Sequence, residues 1–356
     1  MRIVGIETSC DDTGIAVLEA SGGKTPRFQI LSNVVASQIK VHQKYGGVYP
    51  MLAKREHQKN LHIVLKKSLK EAGVDPKNPQ VDAIAVTYGP GLAPCLWTGL
   101  NFAKDLAKTW NVPLVPVDHI EGHLLIALAG NENFQFSISN FQKLFPAVAL
   151  IVSGGHTQLV LVKDIGIYTM IGETRDDAAG ECFDKTARIL GLEYPGGPAI
   201  AREAKKAVSH SELRLPRPMM HTKDYDFSFS GLKTAVLYNY QARPKKERES
   251  KAYIQAMAAE IQQAIIDVLM HKTIRAAKEF FANSIILGGG VAANLELRAA
   301  VKKECVRLSL THLIPPPILA TDNGAMIALA GYFNFQTGKA IKNWDKLEAD
   351  PNLRLA

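Results

Sequence analysis

Apolar and polar positions along the chain fall into short blocks that alternate between strand and helix periods. "RIVGIETS" (2–9) and "GIAVLE" (14–19) are β-rich runs separated by the polar turn "CDDT", a pattern that predicts a hairpin. The stretch 41–73 holds a turn and then a long amphipathic helix. "VDAIAVTYGPG" (81–91) reads as a buried strand running into a Gly-Pro loop. A helix follows over "LWTGLNFAKDLAKTW", then a strand over "VPLVPV", then a helix over "HIEGHLLIALAG" ended by Gly130.

At Pro146 the opening pattern recurs. "PAVALIVSGGHTQLVLVKD" is again strand, tight polar turn, strand, with little identity to the first copy. Two such hairpins, each opening an α/β half, predict a duplicated fold with a ligand cleft between the halves. The length of 356 residues suits two lobes better than one small core. The expected division is 1–130 plus 320–356 for the N-terminal lobe and 131–319 for the C-terminal lobe. "ARPKKERES" (242–250) is a charge-rich connector, either a solvated surface or a contact for RNA.

Composition narrows the class. Hydrophobic content of 47% with 21% charged residues describes a compact soluble chain, and no apolar run reaches the roughly 18 residues of a membrane span. The start "MRIVGIE" lacks the pattern of a secretory signal. Cys10, Cys95, Cys182 and Cys305 form no CxxC pair, which points to a reduced cytoplasmic setting and away from a cysteine zinc site. The net charge of +8 is compatible with RNA without requiring it.

Several constellations carry candidate chemistry. His119 and His123 stand four apart and share one face of a helix, as a metal clamp or as two polar neighbours. Glu121 lies about 200° around from His119 at ~3.6 residues per turn. That rejects a zinc-peptidase reading, in which the glutamate directly follows the first histidine. Ser153-Gly154-Gly155-His156-Thr157 forms the second hairpin turn, where adjacent glycines let amides approach an anion, or simply make the turn. Asp11-Asp12 in the first turn can hold a cation or orient a water, or form an Asx turn. The segment 172–200 crowds Glu173, Asp176, Asp177, Glu181, Asp184 and Lys185 ahead of "YPGGP". Asp184 or Glu181 can accept ligand hydroxyls, and some of these acids are expected to cap a helix starting near Ala178. "SIILGGGVAANLELRAAV" predicts a strand, three glycines and a helix containing Asn294, a turn where a nucleotide can lie against backbone. Asp322 of "ATDNGAMIALAGYF" begins another helix, and a plain N-cap explains it locally.

Taken together, "GIETSCDDTGIAV", "YGGVYPMLAKREH", "GPGLAPCLWTGL", "DHIEGHLLI", "VSGGHTQLV", "DDAAGECFDKTARILGLEYPGGP", "FSFSGLKTAV", "GGGVAANLELR" and "TDNGAMIA" resemble the TsaD-type tRNA N6-adenosine threonylcarbamoyltransferases, in their bacterial form. The match runs in order over almost the whole chain. It departs at Cys95, at Trp97, in the extra glycine of "GGGVAAN", and in a longer Phe- and Asn-rich segment at 131–145.

The resemblance implies the α/β, duplicated actin/Hsp70/sugar-kinase (ASKHA) fold, two lobes around a nucleotide cleft. It implies that His119, His123 and Asp322 bind one divalent metal, Fe(II) first and Zn(II) as the alternative. Ile151, Val152, Ser153, Gly154 and Gly155 match the segment contacting the donor's phosphate and carbamoyl end, and Asp184, Gly197 and Asn294 match positions holding the adenylate. Asp11, His156 and Lys185 are further catalytic candidates. The implied reaction moves threonylcarbamoyl from threonylcarbamoyl-adenylate to N6 of adenosine 37 in tRNAs reading ANN codons, forming t6A and releasing AMP. Partners would be tRNA, a smaller paralogous subunit (TsaB-type) and a small P-loop ATPase (TsaE-type), with no membrane. Two alternatives remain at this point: a kinase or ATPase of the same fold using Mg²⁺ at Asp11 or Asp12, and a non-catalytic nucleotide-binding scaffold.

Overall fold

The computed structural model describes residues 1–21, 26–129, 133–135, 142–207 and 213–355. It divides into two compact units. The first comprises Met1–His42, Val48–Lys143 and Ile314–Ala356, and the second comprises Gln43–Gly47 and Leu144–Leu313.

The first unit is built on a six-stranded sheet in the order β5-β4-β1-β2-β3-β6. Its strands are β1 (Arg2–Glu7), β2 (Asp12–Ser21), β3 (Arg27–Ser37), β4 (Ala83–Gly89), β5 (Leu114–Asp118) and β6 (Asn133–Gln135). The expected hairpin is present: β1 pairs antiparallel with β2, from Arg2↔Glu19 to Glu7↔Gly14. β3 extends it antiparallel, a strand the hydrophobic pattern did not single out. β4 then lies parallel to β1 and β5 parallel to β4. These central strands are buried almost end to end, as a parallel strand covered by helices must be.

The second unit repeats this connectivity. Its strands are β7 (Ala147–Val152), β8 (Thr157–Asp164), β9 (Ile167–Glu173), β10 (Ser284–Gly288) and β11 (Thr311–Leu313), in the order β11-β10-β7-β8-β9. Here too an antiparallel trio is joined to a parallel pair through its first strand. The duplication is therefore one of topology.

Four helices of the first unit matter below: α1 (Pro50–Glu71), α2 (Ala93–Trp110), α3 (His119–Ile126) and, at the far end of the chain, α9 (Gly324–Gln336). α3 stops at Ile126, short of the expected end at Gly130, which lies outside the described residues, as do 131–132 and 136–141 of the long segment. α9 returns to the opening hairpin and lies flush on it. A Cβ on Gly5 would sit 2.2 Å from the Gly324 carbonyl oxygen, and one on Gly324 would sit 2.4 Å from the Ala16 nitrogen. Only glycine permits backbones this close. The helices of the second unit are α4 (Ala179–Ile189), α5 (Gly196–Ala204), α6 (Ser230–Gln241), α7 (Lys251–Glu279) and α8 (Leu295–Leu308).

Candidate metal centre

β5 ends on Asp118, whose carboxylate caps the next helix by accepting from the amides of Ile120 (2.7 Å) and Glu121 (3.3 Å). α3 thus starts abruptly, with His119 in its first turn. Every residue of α3 is buried, so the face shared by the two histidines lies inside the protein. Glu121 leaves the histidine face as its angular position requires, accepting 2.9 Å from Asn334 of α9.

Asp322 sits one residue before the cap of α9. The cap is Asn323, whose side-chain oxygen accepts from the Met326 amide at 3.1 Å. Of the two readings of Asp322, the plain N-cap fails by one position, because Asn323 takes that role. Asn323 satisfies the helix end, and the Asp322 carboxylate lies against the histidines. Its Oδ1 is 3.1 Å from His123 Nε2 and 3.6 Å from His119 Nε2. The two rings lie nearly edge to face, 4.7 Å between centroids. Ligand atoms of His119, His123 and Asp322 all fall within 4.8 Å of one another.

A further residue completes the arrangement. Buried Glu7, at the end of β1, lies 3.1 Å from His119 Nδ1 through Oε2, and Ser9 Oγ reaches the same nitrogen at 3.1 Å. Glu7 is itself fixed by the Ser9 amide and the Thr87 hydroxyl, both at 2.5 Å. Binding Nδ1 leaves Nε2 directed at the cluster, the carboxylate–histidine arrangement that orients and strengthens metal-bound imidazoles. Burial by itself would lower the His119 pKa, but the Glu7 and Asp322 carboxylates outweigh it and move it upward. The pocket is thus electrostatically suited to positive charge. A donor set of two imidazoles and a carboxylate suits a divalent transition metal, so these residues fit a metal.

The Asp11-Asp12 turn adjoins this cluster. Burial and then the charge of Asp322 raise the pKa of both aspartates, Asp12 to about 7. α1 staples the turn: His57 bonds the Thr13 hydroxyl through Nδ1 (2.8 Å) and the Cys10 carbonyl through Nε2 (3.0 Å).

In the second unit, glycine contacts assemble the segments singled out in the sequence. Gly180 of α4 would place a Cβ 2.4 Å from the Ser153 carbonyl, Gly289 (φ +86°) one 2.4 Å from the Val152 carbonyl, and Gly196 one 2.5 Å from Asp184 Cα. Ile151 and Val152 end β7 fully buried, and Ser153 opens the turn. The Ser153 amide donates to the His156 carbonyl (2.8 Å) and the His156 amide to Ser153 Oγ (3.1 Å). Gly154 and Gly155 are exposed, and among the described residues no acceptor meets their amides. Asp184 Oδ1 accepts from the Gly196 amide at 2.6 Å and so sets the start of α5, beside Gly197, whose Cβ would face open space.

Three expectations change here. The acids of 173–184 do not cap α4, whose Ala178 cap offers no side chain and whose Ala179 amide donates to Thr157 Oγ1. Asp176 instead accepts from the Phe229 and Ser230 amides and from the Ser228 and Ser230 hydroxyls, at the start of α6. Asn294 lies before α8 rather than within it; Oδ1 caps the Leu297 amide (3.0 Å) and Nδ2 donates to Gln262 (2.8 Å). Lys185 is held by Asp177 (2.6 Å) and Glu181 (2.9 Å), which raise its pKa and keep it cationic, unsuited to act as a base.

The sequence model of the family described as TsaD, tRNA N6-adenosine threonylcarbamoyltransferase, matches residues 29–329. A tRNA N6-adenosine threonylcarbamoyltransferase of Thermosipho africanus (strain TCF52B) is 46% identical over 355 residues, covering 100% of both chains. That of Bacillus subtilis (strain 168) is 44% identical over 356 residues, covering 100% of this chain and 96% of the relative. This chain belongs to the TsaD family. Among solved structures, component A of the Acidaminococcus fermentans (R)-2-hydroxyglutaryl-CoA dehydratase superposes with a TM-score of 0.52 at 14% identity, covering 94% of this chain and 99% of that one. The activator of the 2-hydroxyisocaproyl-CoA dehydratase from Clostridium difficile, with bound ADPNP, gives 0.50 at 12%, covering 95% and 97%. These likenesses show the fold alone, which is the duplicated actin-like (ASKHA) fold. The kinase, ATPase and scaffold alternatives are not favoured for a TsaD family member. Among the described residues no helix is long and apolar enough to cross a membrane.

Proposed function

We propose that this chain transfers a threonylcarbamoyl group from threonylcarbamoyl-adenylate to N6 of adenosine 37 in tRNAs reading ANN codons. The N6 nitrogen attacks the carbamoyl carbon, the carbon–oxygen bond to the phosphate breaks, AMP leaves, and the N6 proton is lost. A mixed anhydride has a good leaving group, so the work left to the protein is holding the donor and polarising its carbonyl.

The observation that carries the reading is the convergence of His119 and His123 with Asp322, 199 positions beyond His123, in a TsaD family chain. These three would hold one divalent ion, Fe(II) first and Zn(II) as the alternative. Such an ion supplies Lewis acidity and a template for donor oxygens. Glu7 keeps the His119 ring in its ligating orientation. The exposed amides of Gly154 and Gly155 would meet the donor phosphate, with Ile151 to Ser153 forming the strand end behind them. Gly197 leaves backbone open beside Asp184, which fixes the α5 start, and Asn294 shapes the opposite turn. Asp11 and His156 stay catalytic candidates beyond the metal ligands. The reaction would take place in the cytoplasm, with a smaller paralogous subunit of the same fold and a small P-loop ATPase as partners. The first unit would be the N-terminal, metal-bearing lobe.

Nucleoside mass spectrometry of tRNA from cells depleted of this chain tests the reading. Loss of t6A, restored by the wild-type chain and not by His119→Ala, is the expected result. Undiminished t6A would refute it.

A further inference from the structure

The segment from Tyr238 to Tyr253 gathers five cations and three tyrosines within sixteen residues. Several cations of the second unit face carboxylates: Arg175 meets Asp224 and Asp226, Lys185 meets Asp177, Arg202 meets Glu193, and Arg217 meets Asp267. After α6, by contrast, Lys245, Lys246, Arg248 and Lys251 follow in close succession, and none of them forms an ion pair among the described residues. Only Arg243 is paired, with Glu247. The three lysines are exposed.

The arginines are not loose. The Arg243 guanidinium lies 5.2 Å from the Tyr253 ring centroid and that of Arg248 lies 5.0 Å from the Tyr240 centroid. The two tyrosine rings are 6.2 Å apart, and the Tyr253 hydroxyl is anchored on Asn239 at 3.0 Å. Two guanidiniums thus lie over an aromatic pair, and the Arg248 Nε is buried without a partner. Tyr238, one turn before the end of α6, is 66% exposed. Stacked arginines, free lysines and an accessible ring are what a single-stranded nucleic acid requires, with phosphates meeting the cations and a base meeting the ring.

The segment is also joined to the acids that precede α4, the helix whose Gly180 packs on Ser153. The first residue of α6, Ser230, is bonded to Asp176, and Lys233 one turn on reaches Asp177 at 3.5 Å. Twelve helical residues carry the chain about 18 Å from there.

We propose that Tyr238, Arg243, Lys245, Lys246, Arg248 and Lys251 form a docking surface for the tRNA backbone near the base to be modified. The proposal rests on the tRNA-modifying reading above and adds where the RNA is held. Phosphate contacts position the substrate and leave the choice of base to the site itself.

The test uses the full chain and an unmodified transcript of a tRNA reading an ANN codon, with binding followed by fluorescence anisotropy over a range of KCl concentrations. The triple variant Lys245→Gln/Lys246→Gln/Lys251→Gln should bind about tenfold more weakly near physiological salt. Its log–log salt slope should be shallower by about two, since each lost phosphate contact removes roughly 0.7–0.9. Arg248→Lys, which keeps the charge and loses the stacked plane, should weaken binding less and leave the slope nearly unchanged. All three lysines lie on the surface, so an unchanged Tm verifies folding. Wild-type affinity and slope in the triple variant overturn the proposal. That holds even if the variant forms less t6A in cells, because the surface would then serve an acidic protein partner. Absence of tRNA binding by the wild-type chain overturns it too. Depletion and rescue of t6A judge the function separately: a chain that restores t6A while its triple variant binds tRNA normally keeps the function and loses this surface.

Discussion

The Asp322 carboxylate lies 3.1 Å from His123 Nε2, although 199 positions separate the two residues. Two local features produce this meeting. Asn323 takes over the capping of α9, and Gly324 lets that helix rest directly on the backbone of the opening hairpin.

Removing a ligand should therefore remove the metal. His123→Ala and Asp322→Ala should each lower bound divalent metal, measured by inductively coupled plasma mass spectrometry on purified protein, to a small fraction of the wild-type content. t6A formation should fall at least about a hundredfold, as expected when a Lewis acid and template is lost. Full metal content in either variant would refute the ligand assignment.

Glu7 offers a subtler test, because it touches His119 and not the cluster itself. Glu7→Gln keeps the shape and weakens the hold on Nδ1. Loss of such an outer partner typically costs about 10–100-fold in metal affinity. Competition with a chelator measures this, and an unchanged affinity would make Glu7 a structural residue only.

Two glycines should respond in opposite ways. A methyl on Gly5 meets the Gly324 carbonyl oxygen at 2.2 Å, so Gly5→Ala should destabilise by about 3 kcal/mol or more, through overpacking that backbone cannot relieve. Gly197→Ala meets nothing. Stability should hold or rise by up to about 1 kcal/mol from helix propensity, while donor binding weakens. Urea unfolding and donor titration, compared on both variants, separate packing glycines from ligand-facing ones.

Lys272 supplies a pH test. Its amine is buried and bonds the Thr222 hydroxyl (2.9 Å) and the carbonyls of Asp224 (3.3 Å) and Asp226. Burial lowers its pKa below the ordinary 10.5, with Asp224 opposing. Between the lowered folded value and the ordinary unfolded one, the unfolded chain binds more protons, so stability from this group rises with pH. Lys272→Met should cost about 3 kcal/mol at neutral pH by orphaning the carbonyls. The gap between wild type and variant should widen as pH climbs towards 10.5. A gap that narrows would contradict the burial argument.

Much of this was legible along the chain. The hairpins at Arg2–Ser21 and Ala147–Asp164 announced themselves by strand runs around polar turns, and the repeat of that pattern implied duplication. The third strand of each sheet was not legible. β3 mixes buried and exposed positions without clean alternation and β9 is equally irregular, because each pairs along one side only at its described ends or carries register shifts. The acids before α4 looked like its caps because capping is a local rule, yet Asp176 serves a helix start more than fifty residues later. Glu7 was missed altogether. A glutamate ending a strand carries no signal until His119 is placed beside it.

The sequence by itself determined the strand and helix periods, the shared direction of His119 and His123, the exclusion of Glu121 from their face, and, through its motifs, the family. Those properties depend on spacing of a few residues, which backbone geometry converts directly into direction. Only the tertiary structure decided that Asn323 and not Asp322 caps the last helix, that Glu7 holds His119, and that Lys185 is locked between carboxylates. Each of these depends on placement in three dimensions, set by how closely glycine-bearing backbones can pack and by which buried charge finds a partner.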